Sequence, residues 1–475
     1  MNQLRVLFAA AEATPWVKIG GLADVAGGLP RALNASGNAE VRLVLPRHAV
    51  LERVEALPLL SFALPYRGSL QEVQVLETRR AGLVLYLIDG APIRASGPVY
   101  SGNEPADAEK YVFFSLALLE FAHLDEWTPQ ILHLNDWHTA LAAYGLRERR
   151  IRGESSLKSV LTIHNLPFLG PPIGAWMDAY GLPRLPVDLP PWARERPLPL
   201  GLWAADALVT VSPTYAREIL TPEYGSGLET FLLSRLNILH GILNGLDTES
   251  FDPSRDAALF EPFSLETLSR RRENKPRLLA ELGLSVEERL PLLGMVSRID
   301  YQKGVDLVIE TLRLSHHLPW QAVFLGIGDA RLEAELQQFE REFPDRVRAL
   351  LRFDATLARR LYAALDLFLM PSRYEPCGIA QMIAMRYGAL PLARATGGLK
   401  DTIEDGRSGF LFEEANPQAF QRALERALAA YADTEKWEAM QRYAMSRDFS
   451  WSRSAQAYLE VYTTLLREHV PRLPG

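Results

Sequence analysis

The feature that most constrains this chain is a repeated alternation of short apolar runs with helical patterns. In the first half, the apolar runs that predict buried strands are 4–10, 41–45, 83–88, 131–134, 159–163 and 207–211. Helical patterns lie between several of them, over about 20–33, 111–121 and 140–148. Short apolar strands that alternate with helices indicate parallel strands covered on both faces.

The second half follows the same logic without repeating the sequence. Its predicted strands are 292–296, 322–325, 347–353, 366–370 and 390–393, and its predicted helices are 305–312, 357–364 and 379–387. The charged stretch 251–290 has few strand-like runs, and we place a domain boundary near residue 246. The proline-rich stretch 183–199 is expected to be an irregular loop. The predicted fold class is α/β, with two doubly wound domains.

Composition sets limits on function. A chain of 475 residues exceeds one ordinary core, and its net charge of -7 argues against nucleic acid as a partner. Its one cysteine excludes an internal disulfide and a four-thiolate zinc site. The sequence shows no apolar stretch long enough for a membrane span and no secretory pattern at its N-terminus. We therefore expect a cytoplasmic protein that does not bind membranes.

Ligands of doubly wound folds bind beyond the carboxyl ends of the strands, and four polar segments follow predicted strands. The first is 18–25 (KIGGLADV), which carries Lys18, Gly20, Gly21 and Asp24. Paired glycines before a helix let backbone N–H groups approach a phosphate, although a tight turn is the more common use of such a pair. Lys18 would add a full positive charge.

The second segment is 133–138 (HLNDWH), followed by 162–165 (TIHN). Its histidines, Asp136 and two amides predict a polar pocket at strand ends. Histidine is the commonest metal ligand, so a metal site is one interpretation of these residues. His133 and His138 fit neither a helical pair nor a zinc-finger spacing, so we expect structural or sugar-binding histidines and no metal.

The third segment is 297–304 (SRIDYQKG), where Arg298 and Lys303 form a candidate diphosphate clamp. The fourth is 372–378 (SRYEPCG), which places Glu375 and the amides of Cys377 and Gly378 before a helix. A second glycine turn, formed by Thr396, Gly397 and Gly398, could hold the same phosphates. The partial glycine motif at 326–329 does not by itself indicate a dinucleotide.

Together these segments resemble the bacterial glycogen synthase and plant starch synthase family of glycosyltransferases. The matching stretches, in order along nearly the whole chain, are KIGGLADV, HLNDWH, TIHN, VSPTYAREI (211–219), GILNGLD (241–247), SRIDYQKG, SRYEPCGIAQ (372–381), TGGLKDT (396–402) and DFSW (448–451).

The resemblance implies a GT-B fold, in which two Rossmann-like domains face each other across a deep cleft. Residues 1–245 would form the acceptor-side domain, 246–453 the donor-side domain, and 454–475 a C-terminal helix, predicted over 454–469, that returns to the first domain. It implies transfer of glucose from ADP-glucose to the non-reducing end of an α-1,4-glucan such as glycogen. Anomeric configuration would be retained, with no metal and no cofactor.

The resemblance also implies roles for single residues. Lys18, Arg298 and Lys303 would hold the diphosphate and stabilise its charge as it leaves. Glu375 would bind hydroxyls of the donor glucose, and Cys377 would present its backbone N–H to the donor. His164, Asp136 and Asn244 would line the sugar site.

The sequence departs from the family pattern in one place. Many members carry asparagine and lysine just before the Ala-Asp of the next strand, and here Pro199 stands where the lysine would align. Two alternatives therefore stay open. One is a related GT-B transferase acting on a small acceptor such as a sugar phosphate, and the other is a non-catalytic protein that binds glucan or nucleotide.

Overall fold

The structure is a computed structural model that describes residues 3–185, 187–287 and 289–467. The chain divides into two compact units. The first contains residues 1–245 together with 451–475, and the second contains residues 246–450.

The first unit is built on a nine-stranded sheet. Its strands are β1 (Leu4–Ala9), β2 (Ala39–Pro46), β3 (Leu57–Tyr66), β4 (Ser69–Arg80), β5 (Leu83–Asp89), β6 (Ile131–Asn135), β7 (Lys158–Ile163), β8 (Ala207–Thr210) and β9 (Leu239–Gly241). Its helices are α1 (Gly21–Ala35), α2 (Ala91–Ser96), α3 (Glu104–Leu124), α4 (Trp137–Ile151), α5 (Gly174–Ala179), α6 (Pro197–Ala204), α7 (Pro213–Glu218), α8 (Glu229–Ser234) and, after the second unit, α17 (Trp451–Arg467).

The sheet order is β3-β4-β5-β2-β1-β6-β7-β8-β9. From β5 to β9 all neighbouring strands are parallel. The central strands are almost wholly buried, which explains why their sequences are continuous apolar runs.

The sequence did not predict the antiparallel pair β3 and β4 at one edge of this sheet. Their two-residue turn places both Arg67 (φ 49°) and Gly68 (φ 76°) in the left-handed region, as a tight hairpin requires. The sequence of β3, LPLLSFALPY, is mostly apolar, but Pro58 and Pro65 interrupt it and most of its residues are exposed. Proline is tolerated in a sheet only at an edge, which is where β3 lies.

The second unit is built on a six-stranded parallel sheet of order β12-β11-β10-β13-β14-β15. Its strands are β10 (Leu292–Val296), β11 (Gln321–Leu325), β12 (Val347–Leu350), β13 (Leu367–Met370), β14 (Leu390–Arg394) and β15 (Phe410–Phe412). Its helices are α9 (Asn274–Glu281), α10 (Val305–Leu314), α11 (Ala330–Glu342), α12 (Ala355–Ala364), α13 (Ala380–Arg386), α14 (Gly397–Thr402), α15 (Pro417–Tyr431) and α16 (Thr434–Met445).

The predicted α/β class and the predicted parallel strands are therefore confirmed, with shifts at some ends. The strand predicted over 347–353 ends at Leu350, and the helix predicted over 379–387 spans Ala380–Arg386. The irregular loop predicted over 183–199 is wrong at its end, because α6 begins at Pro197. Proline is tolerated in the first turn of a helix, where its missing N–H has no partner to lose.

Helix α17 packs on α1 within the first unit, and glycines make the close approach possible. A Cβ on Gly28 would lie 2.1 Å from Nε1 of Trp451, and one on Gly245 would lie 2.5 Å from the Cα of Trp451. The helix begins at Trp451, three residues earlier than predicted, and its predicted end at residue 469 lies outside the described residues.

Candidate active site

In the second unit, the predicted clamp and the predicted sugar-binding carboxylate meet directly. Lys303 lies in the loop after β10, and Glu375 lies in the loop after β13. Nζ of Lys303 donates to Oε2 of Glu375 at 2.6 Å, and Ser372 Oγ donates to the same oxygen at 3.0 Å. Oε1 of Glu375 has no hydrogen-bond partner among the described residues. The carboxylate is thus held at one oxygen and open at the other.

Arg298 is the exposed member of this group, with 65% of its side chain accessible. Its guanidinium contacts Asp300 Oδ2 at 2.7 Å and donates to Gln302 Oε1 at 3.2 Å. Both partners belong to the same loop as Arg298, so they orient its guanidinium. The remaining N–H groups of the guanidinium face solvent. This geometry suits an anion that arrives from outside.

A second arginine, which sequence reasoning did not single out, ties the two loops together. Arg373 makes a bidentate pair with Asp306 of α10 (2.7 and 2.8 Å) and donates to the carbonyl of Tyr301 at 2.7 Å. Its guanidinium also lies over the Tyr301 ring, 3.5 Å from the centroid. The two loops that carry Lys303 and Glu375 therefore hold a defined mutual position.

The glycine turn after β14 packs on the backbone of the Glu375 loop. A Cβ on Gly397 (φ 45°) would lie 1.9 Å from the carbonyl oxygen of Glu375, and one on Gly398 would lie 2.1 Å from that of Cys377. The Gly398 N–H already donates to the Glu375 carbonyl at 3.1 Å. These glycines permit close packing of two loops, and the Gly398 amide is not open to a phosphate in this arrangement. Thr396 is buried at the start of the same turn.

The segment Cys377–Gly378 precedes α13, which starts at Ala380. Gly378 has a left-handed backbone (φ 73°), and a Cβ there would collide with Gln381. Cys377 is buried, with 4% exposure, and its carbonyl accepts a hydrogen bond from Gln381 Nε2. The thiol is thus a packed side chain in the loop that also carries Glu375.

The partial glycine motif after β11 has a packing role too. A Cβ on Gly326 or Gly328 would lie 1.8 or 2.2 Å from the carbonyl oxygens of Ser297 and Ile299. Ile299 and Gly328 form a bridge, which supports the loop that carries Arg298. This arrangement explains the glycines without a dinucleotide.

In the first unit, a buried carboxylate holds the predicted glycine loop. Glu12, which directly follows the apolar run of β1, accepts hydrogen bonds from the backbone N–H groups of Ile19 and Gly20 and from the Tyr100 hydroxyl. The Gly20 amide is therefore occupied by an internal acid. The sequence analysis did not identify Glu12 as a site residue. The feature that could have identified it is an acidic residue directly after a buried apolar run.

Lys18 and Asp24 of the same loop are paired with each other. The Lys18 ammonium contacts both carboxylate oxygens of Asp24, at 2.7 and 2.8 Å, and the lysine side chain is 55% exposed. Gly21 opens α1, and among the described residues a Cβ placed on it would meet nothing within 4 Å. Lys18 thus stands at the surface beside the helix start.

Asp136 has the least usual backbone conformation of the candidate residues. It lies between β6 and α4 with φ 54° and ψ -170°, a region that residues with a side chain seldom occupy. Its carboxylate accepts from the backbone N–H of His164 at 2.8 Å. Burial raises the pKa of Asp136 to about 7, against the opposing effect of the His164 and Asn165 amides. Unusual backbone conformations and raised pKa values are both enriched at functional sites, which agrees with the role predicted for Asp136.

His164 is held next to Asp136 as a neutral ring. Asn135 donates its Nδ2 to the Ala9 carbonyl, so its Oδ1, 2.9 Å from His164 Nε2, accepts a hydrogen bond from the imidazole. The Nδ1 of His164 is then an acceptor. Burial lowers the pKa of His164 to about 3, so the ring stays uncharged at ordinary pH.

The other two histidines differ in their surroundings. His133 is fully buried and hydrogen-bonded at both nitrogens, to Tyr462 of α17 (2.6 Å) and to Thr162 (2.8 Å), which is a structural role. The ring centroid of His138 lies 4.2 Å from that of Trp137, with the two rings tilted by 34°. Neither ring nitrogen of His138 has a hydrogen-bond partner in the described part of the chain.

Asn244 follows β9 and is 7% exposed, and its Oδ1 lacks a hydrogen-bond partner within residues 3–185, 187–287 and 289–467. Asn165 Oδ1, next to His164, is in the same state. Buried polar atoms of this kind normally find partners, so their presence beside predicted sugar-site residues fits a polar ligand.

Pro199, which stands where many family members have lysine, lies inside α6 and is buried. The helix packs tightly on α4, where a Cβ on Gly201 would lie 2.6 Å from the Cβ of Ala140. The position is thus part of a helix–helix contact in this chain.

No group of three or more histidine, cysteine, aspartate or glutamate side chains is placed to hold a metal ion within the described residues. Nor is any helix in the described part long and apolar enough to cross a membrane.

Two parallel-sheet α/β units are the architecture of GT-B glycosyltransferases. Residues 5–234 match the model for the starch synthase catalytic domain, and residues 283–447 match that for group 1 glycosyl transferases. The chain belongs to the glycogen and starch synthase family of glycosyltransferases.

Individual relatives match over nearly the full length. A glycogen synthase from an Anaeromyxobacter species is 41% identical, over 97% of this chain and 99% of the relative. One from Gloeobacter violaceus is 40% identical, over 98% and 99%. The catalytic domain of starch synthase IV from Arabidopsis thaliana, solved with ADP and acarbose, is 34% identical with a TM-score of 0.88 and covers 98% of this chain and 100% of that one.

Proposed function

We propose that this enzyme transfers glucose from ADP-glucose to the non-reducing end of an α-1,4-glucan, with retention of anomeric configuration. The observation that carries the proposal is the buried pair of Lys303 and Glu375, together with the exposed Arg298 in the same loop as Lys303. Two cations in one loop after a strand suit a diphosphate, which a protein that only bound glucan would not need to hold. The ADP in the starch synthase IV structure and the names of the glycogen synthase relatives support the donor and the acceptor.

The donor is assigned to the second unit. Glu375 offers its open Oε1 to hydroxyls of the donor glucose while Lys303 and Ser372 hold Oε2. An ammonium has three donors, so Lys303 can hold Glu375 and still meet a phosphate oxygen. Arg298 supplies a planar fork to the same diphosphate. The backbone N–H groups of Cys377 and Gly378 are assigned to the same phosphates. The turn of Thr396, Gly397 and Gly398 supports them by packing on the backbone of the loop that carries Glu375.

The sugar and acceptor contacts are assigned to the first unit. Asp136, His164 and Asn244 present a carboxylate, a neutral imidazole and an amide oxygen, which are groups that bind hydroxyls. Lys18 adds positive charge for the diphosphate, and Asp24 orients it. Gly20 and Gly21 keep the loop close to the start of α1.

In the proposed reaction, the bond between the anomeric carbon and the β-phosphate oxygen breaks, and the leaving ADP gains negative charge. Arg298 and Lys303 stabilise that charge as it develops, which lowers the barrier without a metal. The acceptor hydroxyl attacks from the face that the phosphate leaves, and the phosphate takes its proton. No protein nucleophile is required, and configuration is retained.

The test is release of ADP from ADP-glucose with and without added glycogen. We expect release to depend on glycogen, and labelled glucose to enter the polymer. If labelled glucose were instead transferred to added glucose 1-phosphate, to give a disaccharide phosphate, the small-acceptor alternative would hold. ADP-glucose binding with no release under any acceptor would indicate a binding protein. Substituting UDP-glucose for ADP-glucose tests the choice of nucleotide.

A further inference from the structure

A second basic cluster lies in the first unit, apart from the candidate site residues of that unit. It lines a cavity of about 430 Å³ formed by the last turn of α4, the segment between α6 and β8, and the segment before β9. Three arginines, Arg147, Arg150 and Arg235, line it, with Asp206 as its one carboxylate. The cavity is next to the starts of β8 and β9, whereas Asp136, His164 and Asn244 follow the ends of β6, β7 and β9.

One Nη group of each arginine is hydrogen-bonded to an oxygen atom of the protein. Arg147 Nη1 donates to the Trp203 carbonyl (3.2 Å) and Arg235 Nη2 to the Ala205 carbonyl (2.7 Å), while Arg150 Nη1 contacts Asp206 Oδ1 at 2.5 Å. In the described part of the chain, each therefore keeps one Nη group without a protein partner.

The charge of the cluster is not balanced. Asp206 is shared, because its other oxygen accepts from the backbone N–H and hydroxyl of Ser159. Burial, and then the positive charge of Arg150, lowers the pKa of Arg147, and burial followed by the charge of Arg147 lowers that of Arg235. Like charges held together in a concave site create a strong field for an anion.

The Arg147 guanidinium also stacks on the Trp203 ring, 4.1 Å from the centroid. This contact fixes its plane. A fixed guanidinium matches the geometry of a phosphoryl group, with two parallel N–H donors for two oxygens.

We propose that Arg147, Arg150 and Arg235 form a binding site for a dianionic phosphoryl group, separate from the donor site. The two excess positive charges equal the charge of the group, and the cavity has room for a phosphate monoester as well as for free phosphate. The ligand binds to the folded first unit and stabilises it.

The experiment is calorimetric titration of the full chain with inorganic phosphate at constant ionic strength and with saturating ADP. We expect one phosphate per chain. Arg147→Gln and Arg235→Gln each remove a charged hydrogen bond and should weaken binding roughly tenfold. Arg184→Gln, at a surface pair with Asp178 and Glu195, is the control and should leave binding unchanged. A parallel titration with glucose 1-phosphate distinguishes free phosphate from an ester, since the true ligand binds more tightly.

Arg235→Lys is a second variant that separates loss of binding from a folding defect. It keeps the positive charge and lacks only the planar guanidinium. We expect it to bind phosphate between the wild type and Arg235→Gln. Phosphate should also raise the Tm of the wild type more than that of either glutamine variant. Absence of binding to the wild type overturns the proposal. So does binding that survives in both glutamine variants, or binding that Arg298→Gln abolishes.

Discussion

Nζ of Lys303 lies 2.6 Å from Oε2 of Glu375, 72 residues further along the chain, and 17% and 8% of the two side chains are exposed. Because both charged groups are largely removed from water, each is stabilised mainly by the other. The ion pair therefore holds the loop that carries Glu375 in place before any ligand binds.

The first prediction follows from this pair. Lys303→Met and Glu375→Gln should each lower the free energy of unfolding by about 3 kcal/mol, because each leaves a buried group without its partner. The double variant should recover at least half of the summed loss, although activity is lost in all three. Urea denaturation measures the stability. Arg313→Met, at a more exposed pair with Glu342, is the control and should cost less than about 1 kcal/mol. Losses that simply add would contradict a coupled pair.

The second prediction concerns pH and Asp136. The pKa of this carboxyl is raised by burial from 3.8 to about 7, so the folded state holds the proton more tightly than the unfolded state. The ionised form therefore costs stability, and this cost builds up between the two pKa values and stays constant above about 7. Asp136→Asn should raise Tm at pH 8 and leave it nearly unchanged near pH 4.

The same variant should lose activity, since the carboxylate is proposed to bind the sugar. Asp178→Asn, at an exposed pair, is the control for the change from carboxylate to amide. Thermal unfolding at both pH values measures the effect. An equal shift in Tm at the two pH values would show that the pKa of Asp136 is not raised.

How much the sequence reveals differs between the two sheets and the loops. The buried strands were predictable because both faces are covered and their sequences are continuous apolar runs. Strand β3 was not, because Pro58 and Pro65 interrupt its apolar sequence, and proline inside a run argues against a buried strand. In the site, the position of Glu375 beside Lys303 was not predictable, since no spacing rule brings loops 72 residues apart into contact.

Glycines show the same limit. The turn of Gly397 and Gly398 suggested phosphate binding, whereas the contacts show that a neighbouring backbone occupies the space of each missing side chain. A sequence reports that a Cβ is absent but not what lies in its place.

The third prediction uses that contact. Gly397→Ala should destabilise the second unit and reduce donor binding, because its Cβ would lie 1.9 Å from the Glu375 carbonyl oxygen. Gly37→Ala is matched to it, since Gly37 also has positive φ (71°) but nothing described lies within 4 Å of its Cβ. The control isolates the backbone strain, about 1 kcal/mol. Equal Tm values for the two variants would show that the loops separate without cost.

The fourth prediction concerns metal. Because Arg298 and Lys303 are proposed to neutralise the diphosphate, activity should be complete after exhaustive EDTA treatment and removal of the chelator. The comparison is the initial rate before treatment, after treatment, and after addition of magnesium or manganese. Activity that returned only with a metal ion would contradict the electrostatic role of the two side chains.

The fifth prediction concerns Cys377, the one cysteine of the chain. A retaining reaction can proceed through a covalent intermediate, and a thiol near the donor is a natural candidate. The buried thiol is instead expected to fill space. Cys377→Ser should retain most of kcat, whereas Glu375→Ala should lose far more. A folded but inactive serine variant, with a glucosylated Cys377 trapped in the parent enzyme, would establish the thiol as nucleophile.

The return of α17 to the first unit has a consequence for synthesis on the ribosome. His133, in the middle of the first sheet, is hydrogen-bonded to Tyr462 of α17. Gly28 and Gly245 leave room for Trp451, the first residue of that helix. The first unit therefore cannot complete its packing until α17 has been synthesised, and α17 follows the whole second unit in the chain. The second unit, residues 246–450, is contiguous, so its synthesis is complete before that of the first unit. We expect the later-synthesised unit to finish folding before the earlier one.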